Sequence, residues 1–266
     1  MSNQPMASPF KVVLSHVELA YLLSLFGVTP SIGVDHDPLE GLPTQQVAIA
    51  QQTASHALRA RALVRFDEAQ HPLLADELMR VLGAYASPQQ MVTAYRYATD
   101  EELPLAFFGY ATNGDAVTHT RPADLLHEFT LLSGTPALIE SLAAFCAGAK
   151  PAELPRRQLA LPAQSIAAAR AYAGAGRTPE VLQVLLEAGV SQPAALLLAD
   201  DLVTPSAVTT VTLLAQHDNG APVRRDFIYW QSERNHSAMV IVERGAEVLI
   251  TDGSEESISS IVNEMV

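Results

Sequence analysis

A short extended segment that runs straight into a helix occurs twice in this chain, at Phe10 to Leu23 and again at Arg157 to Arg170. The first copy reads Phe10-Lys11-Val12-Val13-Leu14, then Ser15, Leu19, Leu22 and Leu23; the second reads Arg157-Gln158-Leu159-Ala160-Leu161, then Pro162 and Ile166. Ser15 with Glu18 three residues on is a capping box, in which side chains and backbone satisfy each other at the helix start. Pro162 suits a first helical position, where no N–H is needed. Each copy leads through further helix and a Ser87-Pro88 or Thr204-Pro205 break into a β-rich run, Met91 to Tyr97 or Val208 to Leu214. A tight turn at Asn113-Gly114 or Arg244-Gly245 then leads toward a last helix. The sequence therefore predicts an α+β protein of two quasi-repeated halves.

Three or four strands per half would leave edges exposed, so the expected arrangement is one central antiparallel sheet shared by both halves and flanked by helical bundles. The expected organisation is a flexible leader over residues 1–9, an N-terminal half over 10–150 and a C-terminal half over 151–266, both in one domain. The boundary falls in the proline-bearing stretch Lys150 to Pro155. With 266 residues, 48% of them apolar and 17% charged, the chain has enough apolar surface for a core of this kind. Cys146, the only cysteine, sits among Leu142, Phe145 and Ala147 and reads as a buried thiol.

A formal charge of −13 with only 16 Lys and Arg argues against a nucleic-acid backbone as partner, because phosphate binding needs concentrated basic surface. No apolar run approaches the about 20 residues of a membrane span. The apolar stretch Val17 to Phe26 carries Glu18 behind a near-neutral N-terminus and does not read as a secretory signal. A cytoplasmic location is the expectation.

Leu19, Leu22, Leu23 and Phe26 form the stripe of a helix buried on one face, and Thr29 to Pro43 reads as loop. Helices are expected from Thr44 to about Leu63, from Pro72 to Tyr85, from Arg121-Pro122 through Leu132, and from Pro136 to Ala147. Strands are expected at Met91 to Ala98, Leu103 to Ala111 and Ala116 to Thr120, the last two joined by a hairpin at Asn113-Gly114. The second half reads as helices at Pro179 to Glu187 and Pro193 to Leu202. Strands then follow at Val208 to Gln216, Val223 to Gln231, Ser237 to Glu243 and Glu247 to Thr251, with a closing helix from Ser254.

The chain has no phosphate-binding glycine loop, no dinucleotide fingerprint and no Gly-x-Ser-x-Gly elbow. Its eight histidines make no metalloprotease or finger spacing. Asp35-His36-Asp37 reads as a solvated turn, because three adjacent residues do not converge on one ion unless a loop curls around it. His119 and His127 stand eight residues apart and need not meet. Glu101-Glu102 and Glu255-Glu256 diverge as neighbours and cannot flank a scissile bond. No cofactor, no metal site and no catalytic residue is expected.

Aromatic residues concentrate on strands: Phe107, Phe108 and Tyr110 in one half, Phe227, Tyr229 and Trp230 in the other. Alternation sends Phe108 and Tyr110 to one face, and sets Phe227 and Tyr229 opposite Ile228 and Trp230. Packing accounts for such rings, and so does an open sheet face that receives a partner.

The chain resembles the EspG proteins, chaperones associated with ESX (type VII) secretion in mycobacteria and other actinobacteria. The resemblance is carried by Val12, Leu14, Leu19, Leu22 and Gly27, and by the restart Leu159-Ala160-Leu161-Pro162. It continues in the ending, where Val223-Arg224-Arg225-Asp226-Phe227-Ile228-Tyr229-Trp230 precedes Met239-Val240-Ile241-Val242-Glu243-Arg244 and a closing helix. It implies a non-enzymatic cytosolic chaperone that holds the helical tip of a PPE protein in a PE–PPE heterodimer and shields apolar surface before secretion. The aromatic strands, taken together with this resemblance, suggest Phe108, Tyr110, Asn113, Asp115, Phe227 and Trp230 as partner-binding positions; a homodimer stays open. The hairpin loop Asn113 to Asp115 is short where mycobacterial members often have a long one, so a related chaperone with another client fits the same pattern. Two other classes remain as alternatives: a small-molecule enzyme with a pocket between the halves and His119 or His217 as base, and an immunity-type inhibitor of a basic toxin.

Overall fold

In the computed structural model the described residues are 9–28, 38–112, 114–148, 158–216 and 222–264. The first half runs β1 (Lys11–Ser15), α1 (His16–Leu25), α2 (Thr44–Ala60), β2 (Val64–Phe66), β3 (Pro72–Leu74), α3 (Asp76–Ala86), β4 (Gln90–Ala98), β5 (Leu105–Ala111), β6 (Ala116–Thr120), β7 (Leu126–Leu132) and α4 (Thr135–Ala147). The second runs β8 (Gln158–Pro162), α5 (Ala163–Gly174), α6 (Thr178–Glu187), α7 (Gln192–Val203), β9 (Pro205–Gln216), β10 (Pro222–Ser232), β11 (Ala238–Arg244), β12 (Glu247–Asp252) and α8 (Glu255–Asn263). Apart from the small β2–β3 hairpin, both series of described elements read one strand, three helices, four strands and a helix. In each, the opening strand pairs antiparallel with the last, β1 with β7 and β8 with β12. The architecture is α+β, built on antiparallel sheet.

Two compact units make up the fold: residues 1–91 with 107–138, and residues 92–106 with 139–266. In the first, the strand order is β1-β7-β6-β5. Ser15 accepts from the Glu18 N–H at 3.2 Å while the Glu18 carboxylate accepts from the Ser15 N–H at 2.7 Å, so the capping box fixes the β1–α1 corner. Leu14, Leu19, Leu22, Leu58, Leu78 and Phe129 are fully enclosed. Gly109 makes room for Leu138 to pack on β5; a Cβ there would lie 2.6 Å from Leu138 Cδ1, so the Leu138 side chain would have to shift.

In the second unit the order is β4-β9-β10-β11-β12-β8. Helices α5, α6 and α7 cover one face, where Ile166, Leu185, Leu198, Leu202, Trp230 and Ile250 share a core. Trp230 Nε1 donates to the Asp201 carbonyl at 2.8 Å, and the buried Asp201 carboxylate accepts from Asn235 and Ser237, each at 2.7 Å. On the opposite face Gln231 donates to the Ala147 carbonyl at 2.8 Å.

Three local expectations are corrected. Residues 126–132 form a strand instead of the helix expected after Arg121-Pro122. His127, Phe129 and Leu131 are buried on one side, and Leu125, at φ 61°, turns the chain into the strand. The apolar set that matched a helical stripe is a period of two in which the polar positions Glu128 and Thr130 decide. Pro72 lies in β3, paired with Phe66, and α3 begins only at Asp76. Pro162 ends β8 as the N-cap instead of opening α5; the free N–H of Ala163 donates to the Ala246 carbonyl at 2.9 Å.

Candidate functional site

Along α5 of the second unit lies a groove of about 820 Å³ whose apolar floor is Ile166, Ile228, Ile241 and Val248. A neighbouring hollow of about 640 Å³ shares Ala167 and Arg170 with it and ends on Trp230. Ala163, Ala167 and Ala171 recur every four residues on α5, so a row of small side chains forms one bank. Four arginines (170, 224, 225 and 244) and three carboxylates (Asp226, Glu243 and Glu264) line the groove. The local balance is thus one positive charge in excess, in a chain of −13.

The charges are arranged in pairs. Arg224 Nε donates to Asp226 Oδ2 at 2.9 Å, and Asp226 also accepts from Thr212. Burial pushes the Asp226 carboxyl up, but the Thr212 hydroxyl and the Arg224 guanidinium outweigh it and hold the group below the usual carboxylate range. Arg225 and Arg244 both reach Glu264, at 3.0 and 2.6 Å. Arg170, exposed on α5, faces the groove with no ion pair among the described residues. An apolar floor with a guanidinium rim can hold an apolar segment that carries a carboxylate, since guanidinium matches carboxylate in geometry and charge.

The residues singled out in the sequence fall in different places. Phe227 and Trp230 are among the residues that line the groove and the hollow, but both are buried, and alternation sets the Phe227 ring on the sheet face away from Ile228 and Ile241. Phe108 and Tyr110 lie in the core of the first unit, Tyr110 edge-on to Tyr85 with centroids 5.1 Å apart. None of the four rings stands on the free surface. Asp115 accepts from Arg80 Nε at 3.0 Å, and that bond holds its carboxyl below the usual range. Asn113 lies outside the described residues, as do Asp35, His36, Asp37 and His217. Tyr95 and Tyr97 are the tyrosines that β4 leaves exposed. The groove arginines were missed; the signal was the charged run Arg224-Arg225-Asp226 inside a long strand, which alternation cannot bury on both faces.

His119 and His127, which their spacing did not require to meet, do so: His119 Nε2 and His127 Nδ1 are 2.9 Å apart in the core of the first unit. Adjacent antiparallel strands put His119 opposite Phe129, two residues from His127 on the same face, which a reading of residues 126–132 as helix could not show. Among the described residues, no group of three or more His, Cys, Asp or Glu is placed to hold a metal ion, and no helix is long and apolar enough to cross a membrane.

The fold assembled from these elements is EspG-like. It is similar to the Mycobacterium tuberculosis type VII secretion system chaperone EspG5, solved in complex with a PE25–PPE41 dimer. The two superpose with a TM-score of 0.67 over 96% of this chain and 95% of that one, at 13% sequence identity. No protein-family model and no curated protein sequence matches the chain.

Proposed function

We propose that the chain is a cytoplasmic chaperone of type VII (ESX) secretion that holds a PE–PPE-like client by an apolar tip until export. The observation that carries this reading is the EspG-like fold, which spans nearly the whole of both chains. The groove beside α5 supports it, because its apolar floor matches an apolar tip and its guanidinium rim supplies orientation. Trp230 contributes from the neighbouring hollow, Phe227 packs behind the strand that carries the floor, and the β5–β6 hairpin at Asn113 and Asp115 is a separate position to test. Phe108 and Tyr110 support the strand that carries the hairpin.

Affinity purification of the full chain from its native cell, with bound proteins identified by mass spectrometry, tests the proposal. The expected result is stoichiometric capture of a secreted PE–PPE-like pair, lost in the Arg170→Glu, Ile228→Asp double variant while thermal unfolding is retained. Reversal of a rim charge in an interface weakens binding mainly through the partner group left unpaired. Capture of no secreted partner, or undiminished capture by a folded double variant, rejects the proposal.

A further inference from the structure

We propose that Arg61 guards an open sheet edge: joined to Glu18, it closes the outer side of β1 against antiparallel pairing with β1 of a second copy of this chain. β1 is the end strand of the order β1-β7-β6-β5, and among the described strands β7 is its one neighbour. The pairing fixes which way its backbone groups point. Leu131 N–H donates to the Phe10 carbonyl at 2.9 Å, so the N–H and C=O groups of Val12 and Leu14, in step with Phe10, face β7. Those of Lys11, Val13 and Ser15 face outward.

Side chains take two of these outward groups. Ser15 N–H donates to Glu18 Oε2 at 2.7 Å within the capping box, and the Val13 carbonyl accepts from Arg61 Nη2 at 2.6 Å. Arg61 Nη1 donates to Glu18 Oε1 at 3.1 Å, which joins the two caps into one plug. Arg61 is the C-cap residue of α2, so the packing of that helix brings its guanidinium to the edge. There it satisfies the carbonyl that an added strand would need. Unpaired edge groups are a template for another chain, and a charged side chain laid across them blocks it. Beneath the plug the edge is apolar and β-branched: Val13 is 38% exposed.

The strand suits a second copy of itself. With Val12 opposite Val12 across a two-fold axis, Lys11 of each copy lies opposite Val13 of the other, and each such pair exchanges both of its outward hydrogen bonds. Ser15, whose N–H is already capped, falls opposite Pro9, which has no N–H to offer. Like charges do not face each other in this register. Lys11 carries its own counter-charge, Glu128 at 2.8 Å, so the edge brings no net charge to the contact. Val13 meets the aliphatic stem of Lys11 on one face and Val12 meets Val12 on the other. What prevents the pairing is the Val13 carbonyl, already bound by Arg61.

Sedimentation equilibrium of the full chain tests the guard, with circular dichroism to establish folding. Arg61→Met keeps the stem and removes the donors; Glu18→Gln keeps an oxygen for the Ser15 N–H and removes the charge that holds Arg61. Each variant is expected to dimerise with a dissociation constant about tenfold or more below that of the wild type, the equivalent of one hydrogen bond to a charged group. Amide exchange at Val13 slows in the dimer. Adding Val13→Pro removes an outward N–H that β7 does not use, a change an edge strand accepts, and returns each variant to the wild-type mass. Folded Arg61→Met and Glu18→Gln proteins that associate no more than the wild type overturn the proposal; where Arg61→Met does not fold, Glu18→Gln decides. A dimer that survives Val13→Pro overturns it as well, and so does a wild-type dimer that Val13→Pro abolishes.

Discussion

Tyr110→Ala separates a ring that holds the fold from a ring that waits for a partner. Tyr110 is fully buried on β5, and its ring meets Tyr85 of α3 edge-on at 72° and 5.1 Å. Truncating a buried aromatic to Ala destabilises by about 3–5 kcal/mol through lost transfer and the cavity left behind. An edge-to-face partner adds about 0.5–1.5 kcal/mol beyond area, so the expected cost lies at the upper end, about 4–5 kcal/mol. Against the about 5–15 kcal/mol of a typical domain, that is a large share. With a urea dependence of about 2–3 kcal/mol per molar, the midpoint should fall by roughly 1.5–2 M. Tyr97→Ala on β4 is the control: its ring is 53% exposed, and surface substitutions usually stay within about 0.5 kcal/mol. Equal midpoints for the two variants, measured by far-UV circular dichroism in urea, would refute the assignment of Tyr110 to the core.

Gly253→Ala is expected to destabilise more than Gly109→Ala. A Cβ at 253 would lie 2.7 Å from Ala238 Cβ and 2.9 Å from the Tyr229 ring, which cannot yield, whereas at 109 it meets the mobile end of Leu138; thermal unfolding of both variants checks the order. Cys146 should resist alkylation in the folded chain up to alkaline pH and react once unfolded, because burial pushes its thiol up to about 12. A mass-spectrometric time course with iodoacetamide at pH 8 decides, and rapid native labelling would refute the burial argument. The chain is expected not to survive division at 150/151. The cut removes β4, which lies beside β9, and residues 139–148 from the second unit, including the Ala147 carbonyl that Gln231 binds; two soluble fragments with native-like melting would contradict this.

What could be read from the sequence was local. Ser15 and Glu18 announce the corner they build, and the hairpin signal at Asn113-Gly114 joins strands that do pair, Ala111 opposite Ala116. Strand β4 and helices α4, α6, α7 and α8 follow from their own periodicity. Residues 126–132 did not, because Leu126, Phe129 and Leu132 satisfy a helical spacing by chance while burial acts on His127, Phe129 and Leu131. Alternation placed Phe227 and Tyr229 opposite Trp230, but alternation does not say whether a face is covered. That depends on α5 to α7 packing over the Trp230 side, a contact between residues tens of positions apart. The meeting of His119 and His127 was invisible for the same reason: it follows from the pairing of β6 with β7, which a helix over residues 126–132 does not contain.

The groove follows from a mismatch of strand lengths. β10 has 11 residues and β11 only 7. Pairing with β11 ends at Phe227 opposite Val242, whereas pairing with β9 continues to Pro222 opposite Gln216. From Phe227 onward β10 is largely buried; before it, Pro222, Arg224 and Asp226 are exposed. At about 3.4 Å per residue, the five residues before Phe227 carry the strand roughly 17 Å past its β11 partner. A ribbon with one neighbour there needs charged side chains to remain soluble and to deter edge pairing, which accounts for Arg224, Arg225 and Asp226 ahead of the apolar run Phe227 to Trp230. The same projection leaves Ile228 and Ile241 at the margin of the cover given by α5, so the apolar floor and the guanidinium rim arise together. A substitution that shortens β10, such as Arg224→Pro, should remove both at once, whereas Arg224→Gln should weaken the rim and leave the floor intact.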